Sequence, residues 1–348
     1  MGNPSYVIGS PVSGDDFWGR KEEIQDIRNS LRRNSVLLTA PRRFGKTSMM
    51  YYLKDNPKYG WDYLYLDVEG GNTPEELING ILAELRGSGA KAWERIKGTG
   101  NRLQDAIDKV SVGPGGVLAG LELGDSPDEN WQEHGENLFS LLDEVGPRTV
   151  IIVDELPLLV KGMYENENFN GTKDFLHWFR NLRQSRDGIT WIIGGSIGLV
   201  NVLQYIGANR EVISELEEKH IDAFSEDEAR EYIRALIKNE EGISNIPHGT
   251  LDIFLETLGT PIPFFIQILV KETMRPISSK EELCERIIRE TYTQEFLSPS
   301  GSNYLKYYDE RIEEKFQSDQ VDIVRDILKH TAREEILTAR GAREIYKE

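Results

Sequence analysis

The sequence predicts an α/β fold, a parallel sheet covered by helices on both faces. Three observations carry that prediction. Residues 35 to 48, SVLLTAPRRFGKTS, read as a short apolar strand, a basic loop with one glycine and the start of a helix. Residues 149 to 157, TVIIVDELP, set the apolar run Val150 to Val153 ahead of Asp154 and Glu155, as in a strand buried on both faces. Residues 190 to 198, TWIIGGSIG, repeat that plan, with Ser196 just beyond the strand end.

Composition sets the outer bounds. The chain has 348 residues, 39% hydrophobic and 29% charged, which predicts a soluble globular protein with room for two domains and a small third. Its 59 acidic residues against 41 basic ones give a net charge of -18, which repels nucleic acid in bulk and leaves only local basic patches to attract it. The single cysteine, Cys284, excludes an internal disulfide and suits a reducing cytoplasm; in ELCERII it reads as a buried residue of an amphipathic helix. The five histidines lack zinc-binding spacings, so no structural metal is expected. No apolar run is long enough to span a bilayer, and no signal or lipidation motif stands at either end, so no membrane partner is expected.

Taken in order, the first 16 residues are rich in Gly, Pro and Ser and are expected to drape over the surface. Ile24, Ile27 and Leu31 recur at helical spacing, so Lys21 to Arg33 is a helix entered through Phe17, Trp18, Gly19 and Arg20. That aromatic pair could pack on an adenine ring or staple the helix end. Strand Ser35 to Thr39 and the loop helix follow, then strand Tyr63 to Val68 and helix Pro74 to Leu85. Residues 86 to 147 carry scattered glycines and the acidic GDSPDENWQEHGE; they read as mobile loops with one or two helices before a helix from Trp131 to Val145.

After the acidic strand, Gly171 to Arg183 forms a helix with Phe175, Trp178, Phe179 and Leu182 on one face, leading to strand Trp191 to Ile193. A fifth strand lies within Glu217 to Phe224, and Ser225 caps a helix running through Leu236. The pattern stays helical to about Glu295, broken at Gly259 and Pro261. A linker, LSPSGSN, precedes the helices YLKYYDERIEEKF and DQVDIVRDILKHTAR and a shorter one from Leu337 to Tyr346.

The loop at 40 to 47 is a phosphate-binding pattern with Ala40 in place of its first glycine. Gly45 lets the backbone approach phosphate oxygens, Lys46 reaches the β and γ phosphates, and Thr47 offers a hydroxyl to magnesium at a helix N-terminus. Asp154 and Glu155, adjacent acids at a strand's C-terminal end, need a cation or an acidic turn to account for them. In a P-loop protein the first holds the magnesium shell and the second activates water. Ser196 could touch the γ phosphate or the attacking water, or cap the next helix.

Together these pieces resemble the STAND group, the archaeal-type P-loop ATPases related to AAA+ and origin-recognition ATPases, over roughly residues 5 to 330. The motifs are FWGRKEE at 17 to 23, PRRFGKTS at 41 to 48, IIVDELP at 151 to 157, FLHWFRNLRQ at 175 to 184, IIGGSIGLV at 192 to 200 and GTPIPFF at 259 to 265. The resemblance implies a three-layer α/β/α P-loop NTPase core of ASCE/AAA+ type with strand order 5-1-4-3-2, a helical lid and an incomplete winged-helix-like C-terminal piece. The corresponding ranges are an extended segment at 1–16, the core at 17–220, the lid at 221–295 and the C-terminal region at 296–348. It implies ATP or ADP and Mg2+ as ligands, bound by Phe17, Trp18, Gly19, Arg20, Pro41, Arg42, Arg43, Phe44, Gly45, Lys46, Thr47, Ser48 and Pro261. Thr47 and Asp154 would hold the metal; Lys46, Glu155 and Ser196 would act in catalysis. Arg180, Arg183 and Arg186 are candidates for an arginine finger toward a neighbouring subunit, or a solvated helix face.

The expected activity is slow Mg-dependent ATP hydrolysis, driving a conformational or oligomerisation switch for a protein effector or for the protein itself. Two alternatives stand beside it: a DNA-handling ATPase of the initiator or transposition-regulator kind, disfavoured by the net charge, and an ATP-dependent scaffold with negligible hydrolysis.

Overall fold

Four strands rich in apolar residues and a fifth, charged one form a single five-stranded sheet, parallel throughout, in the order β2-β3-β4-β1-β5. This is the expected 5-1-4-3-2 read from the other edge. The computed structural model describes residues 4–87, 89, 91–98, 131–145, 148–166, 169–239, 246–275, 283–298, 312 and 318–334. The strands are β1 Val36–Thr39, β2 Asp62–Asp67, β3 Thr149–Asp154, β4 Ile189–Ile193 and β5 Glu217–His220. The first helices are α1 Lys21–Ser30, α2 Lys46–Asp55, α3 Pro74–Gly87, α4 Lys91–Gly98 and α5 Trp131–Val145. They continue with α6 Leu156–Glu165, α7 Phe169–Ser185, α8 Leu199–Tyr205 and α9 Glu226–Lys238.

Side chains alternate across a strand, so one strand feeds two cores. Val36, Leu38, Val150, Ile152 and Ile192 point to the layer of α1 and α2, packing on Ile24, Ile27, Met49 and Leu53. Leu37, Ile151, Val153, Trp191 and Ile193 point the other way, into residues of α3 to α8. β3 and β4 are buried at every position, which is why they read as uninterrupted apolar runs.

β5 is different. Its sequence, EEKH, alternates half-buried and exposed, and as an edge strand it is held by polar side chains as well as by its ladder to β1. Glu217 accepts from Ser30 Oγ at 2.8 Å and from Asn34 Nδ2 at 3.0 Å, while Lys219 bridges Glu217 and Asp26, each at 2.7 Å.

The chain divides into two compact units, Met1–Glu241 with Leu258–Ile268, and Gly242–Thr257 with Leu269–Glu348. Helices α10 Thr250–Leu258 and α11 Pro263–Met274 flank the break expected at Gly259 and Pro261. The second unit contains α12 Glu285–Tyr292, extended by a π turn over Thr293–Leu297, and α13 Ser318–Glu334. Among the described residues no helix is long and apolar enough to cross a membrane.

Several expectations change. α6 follows directly on the acidic pair, where LPLLV also suits a buried strand and gives no periodic signal. α4 falls among the one or two helices expected within 86 to 147 and α8 is the helix expected after Ser196, whereas α1 ends at Ser30, three residues before Arg33. Cys284 is exposed, not buried, because it stands at the N-cap of α12, in extended backbone, outside the helical face that ELCERII suggests. The first 16 residues do more than drape: Val12 N–H donates to Ser48 Oγ at 3.0 Å, Val7 N–H to Gln267 Oε1 at 2.8 Å, and Asn239 Nδ2 to the Pro4 carbonyl at 2.7 Å. The expected helices over 304 to 316, apart from residue 312, and over 337 to 346, and the whole region 99 to 130, lie outside the described residues.

The contacts at β5 make its stability pH-dependent. Hydrogen bonds from Lys219, Asn34 and Ser30 pull the Glu217 carboxyl down to about 2. A depressed carboxyl contributes stability above its unfolded value, and that contribution is lost as pH falls toward the folded value. Glu217→Gln should therefore lower stability by up to about 1 kcal/mol at neutral pH. The gap to the parent should close between the ordinary glutamate range and pH 2. Urea denaturation across that range checks it.

Candidate functional site

All five strands end on the same side, and there the parallel register sets Asp67 of β2 opposite Asp154 of β3. A cleft of about 450 Å³ opens at these ends, within the range of small-molecule sites. The loop between β1 and α2 forms its floor. Pro41 through Ser48 all line it.

The loop reaches α2 through two left-handed residues, Arg43 at φ 76° and Gly45 at φ 90°. Ala40 is not among the positive-φ residues, so the Cβ that breaks the glycine pattern meets no backbone strain there. Gly45 is the N-cap of α2 and supplies no side-chain cap, and a Cβ at Gly45 would meet nothing within 4 Å. The loop therefore leaves open space in front of an uncapped helix N-terminus, a place suited to phosphate oxygens.

β4 separates β1 from β3, yet α2 brings the two motifs together. Thr47 Oγ1 donates to Asp154 Oδ2 at 2.7 Å. Asp154 is 2% exposed; its Oδ1 accepts the Glu155 N–H at 3.1 Å, and Tyr65 OH lies 3.5 Å from Oδ2. Burial first, then the charge of Asp154, pushes the Tyr65 phenol well above its usual range, which keeps it a donor. The Lys46 ammonium donates to the Gly195 carbonyl past the end of β4.

Glu155 occupies the left-handed region at φ 61°, ψ 23°, as N-cap of α6. A β-carbon there stores strain, of order 1 kcal/mol. The turn aims its carboxyl at Ser196, whose N–H and Oγ both donate to Glu155 Oε2, at 2.7 and 3.0 Å. Ser196 therefore binds Glu155, while Gly198 is the N-cap of α8. Burial pushes the Glu155 carboxyl up, opposed by the Ser196 N–H bond and the charge of Lys46.

Phe17, Trp18 and Arg20 line the cleft; Gly19 and Pro261 do not. Phe17 stacks on Tyr52 with centroids 4.5 Å apart, and Trp18 lies 6.0 Å from Tyr232. Arg20, 3% exposed, donates to the Phe44 carbonyl at 3.0 Å and to Glu23 at 2.9 Å and sits 4.7 Å over the Phe224 ring. It thus braces the phosphate loop from behind. The Pro261 carbonyl accepts the Phe224 N–H at 3.1 Å, and the adjoining first turns of α11 provide Pro263, Phe264 and Gln267 to the cleft. Phe264 carries the Arg43 guanidinium 4.2 Å over its ring.

Sequence reasoning did not single out Val7, Gly9 to Val12, Tyr51, Asp67, Glu69 or Gln267, all of which line the cleft. Asp67 and Glu69 were findable, since they end a strand parallel to the acidic one. Arg180, Arg183 and Arg186 do not line it. The Arg183 side chain is 2% exposed and bonds Glu215 at 2.6 Å and the Val212 carbonyl at 2.5 Å, so it is not free to reach a neighbouring molecule. Arg180 lies 3.9 Å from Glu215, and Arg186 pairs with Glu136 at 2.6 Å.

A P-loop at the end of β1, an acidic pair at the end of β3 and a strand between them define a P-loop NTPase domain of ASCE/AAA+ type. Among solved structures the chain is similar to a Walker-type ATPase of Pyrococcus abyssi, with TM-score 0.56 and 19% identity over 98% of this chain and 91% of that one. It is also similar to the ORC2 protein of Aeropyrum pernix, solved as ADPNP-ADP complexes, with TM-score 0.54 and 12% identity over 98% and 81%. These likenesses establish the fold. No protein-family profile matches the chain, and no curated protein sequence does.

The glycines after β4 offer a check on this packing. A Cβ on Gly195 would stand 2.6 and 2.7 Å from the Pro157 ring and 3.3 Å from Glu155 Oε2. Gly195→Ala should destabilise by about 1–3 kcal/mol, because a rigid ring at the start of α6 has to move. Gly45→Ala meets no atoms and should cost only its left-handed strain, about 1 kcal/mol. Thermal denaturation of the two variants gives the order.

Proposed function

We propose that this chain binds ATP with magnesium and hydrolyses it slowly, as a nucleotide-controlled switch acting on a protein partner or on further copies of itself. The observation that carries the reading is the Thr47–Asp154 contact at 2.7 Å beside a Glu155 clamped by Ser196. A hydroxyl and a carboxyl converging at a helix N-terminus, with Lys46 alongside, fit a magnesium-bound triphosphate. Thr47 and Asp154 would hold the metal, which when bound neutralises phosphate charge and polarises the phosphoryl group.

The chain's own residues supply the remaining steps. The backbone N–H groups at the start of α2 and the Lys46 ammonium hold phosphate oxygens. Ser196 fixes Glu155 by its Oε2, turning the other carboxyl oxygen to water, from which Glu155 draws a proton as the water attacks. Burial raises that carboxyl's basicity. Phe17, Trp18 and the segment from Val7 to Val12 wall the cleft where a base would lie.

Support for nucleotide as ligand also comes from the ORC2 protein's ADPNP-ADP complexes. The FWGR, GTPIPFF and IIGGSIG motifs favour placement in the STAND group within the wider AAA+ relationship, and the exposed single thiol suits a reducing cytoplasm. A finger in trans, if the switch is an oligomer, is open to Arg180 or Arg186 after exchange of their acidic partners.

Lys46→Ala should lose ATP affinity at least about 10-fold, and Glu155→Gln should keep affinity while phosphate release falls about 100-fold or more. Calorimetry and a phosphate-release assay read the two separately. Normal hydrolysis by Lys46→Ala would sink the assignment. Size-exclusion chromatography with ATP, with ADP and with Glu155→Gln should show a larger or differently shaped species only in the triphosphate state; identical profiles would leave an ATPase without a switch.

A further inference from the structure

At the opposite end of the sheet from the cleft, three connections lead into strands: Arg32 and Arg33 before β1, Lys58 to Trp61 before β2, and Arg148 before β3. They form a basic edge. Arg148 Nη1 donates to the Arg32 carbonyl at 2.8 Å, and the Arg148 carbonyl accepts the Asp62 N–H at 3.1 Å, so the three connections are tied together. The Arg148 guanidinium lies 5.2 Å over Trp61, Arg32 lies 5.8 Å over Tyr59, and the two rings are 5.1 Å apart. Arg28 donates to the Asn56 carbonyl at 2.8 Å just beneath.

Among the described residues none of Arg28, Arg32, Arg33, Lys58 and Arg148 forms an ion pair. That is unusual in a chain with 59 acids to 41 bases. Three acids at this end of the sheet have partners elsewhere: Glu217 with Lys219, Ser30 and Asn34, Asp62 with the Ala92 N–H at 2.7 Å, and Asp143 with the Gly188 N–H at 2.6 Å. Arg28 Nε, Arg148 Nε and Tyr63 OH are buried without a hydrogen-bond partner. Arg32, Arg33, Lys58 and Tyr59 are exposed. Acids elsewhere contribute little, because charges are screened within about 8 Å at physiological salt.

We propose that this edge is a docking surface for duplex nucleic acid, gripped through its phosphodiester backbone. Arg32, Arg33 and Lys58, exposed and without acidic partners, are the charges that phosphate oxygens attract, and Arg148, spent on the Arg32 carbonyl, holds the connections that carry them. Tyr59 and Trp61 are tilted 51° to each other with a guanidinium near each ring, so they offer no parallel platform for successive bases, which favours a duplex. Contact of this kind is independent of sequence. The surface does not rest on the nucleotide reading, since it shares no residue with the cleft.

The test is fluorescence anisotropy of a labelled DNA duplex with the full chain over a salt series. Binding in the micromolar range at low salt is expected, weakening steeply as salt rises. The triple variant Arg32→Glu, Arg33→Glu, Lys58→Glu should bind at least about 10-fold more weakly with a shallower salt slope. Its circular dichroism spectrum and melting temperature should match the parent's, which shows that it folds. The triple glutamine variant serves if the glutamates prevent folding, and Lys161→Glu on α6 should bind as the parent does. No duplex binding at low salt overturns the proposal, as does binding by the triple variants as tight as the parent's. So does preference for a single strand or for polyglutamate over the duplex.

Discussion

The structure turns on a carboxyl group that has almost no water. Asp154 ends a strand buried at every position and is itself 2% exposed. Burying such a group without partners costs several kcal/mol. Its partners come from three elements: the Thr47 hydroxyl on α2, the Glu155 N–H at the start of α6 and the Tyr65 phenol on β2. Satisfying one acid thus sets where α2 starts, how the chain leaves β3 and which residue of β2 faces inward. Each charge-assisted bond is worth about 1.5–3 kcal/mol, comparable with a well-packed core side chain.

Strain gathers at the same place. Among the described residues four non-glycine residues have positive φ, and Arg20, Arg43 and Glu155 of these line the cleft. Each is the hinge of a sharp exit: into α1, through the phosphate loop and into α6. The conformations persist because their surroundings over-determine them, Arg20 through Phe44 and Glu23, Arg43 through the Phe264 ring, and Glu155 through Ser196. A site held this way is organised before any ligand arrives, which lowers the cost of ordering it on binding.

Much of the site was legible because its chemistry is local in sequence. Lys46 and Thr47 follow Gly45 directly, and Asp154 and Glu155 close an unmistakable buried strand. What escaped had no local signature. The cleft's N-terminal wall, Val7 to Val12, is Gly- and Pro-rich and looks like any surface segment until Ser48 and Gln267 hold its backbone. β5 was expected within Glu217 to Phe224, but around His220 to Asp222; its place on the charged EEKH depends on Ser30, Asn34 and Asp26 receiving it. Cys284 matched a helical period, yet one residue of shift at the helix start put it outside. The basic edge joins residues from 28 to 148, and net charge hid it by averaging over the whole chain.

Period and motif, which depend on neighbours in the chain, determined the parallel α/β core and the phosphate-binding turn, and the resemblance that the motifs carry implied the strand order. Only the tertiary structure decided the roles of Ser196, Arg20 and Arg183. A hydroxyl or guanidinium takes its partner from whatever folding brings within about 3 Å, and sequence spacing carries no such distance. The same packing separated a cation held behind the phosphate loop from one locked against Glu215, and set five others at the far edge without an acid.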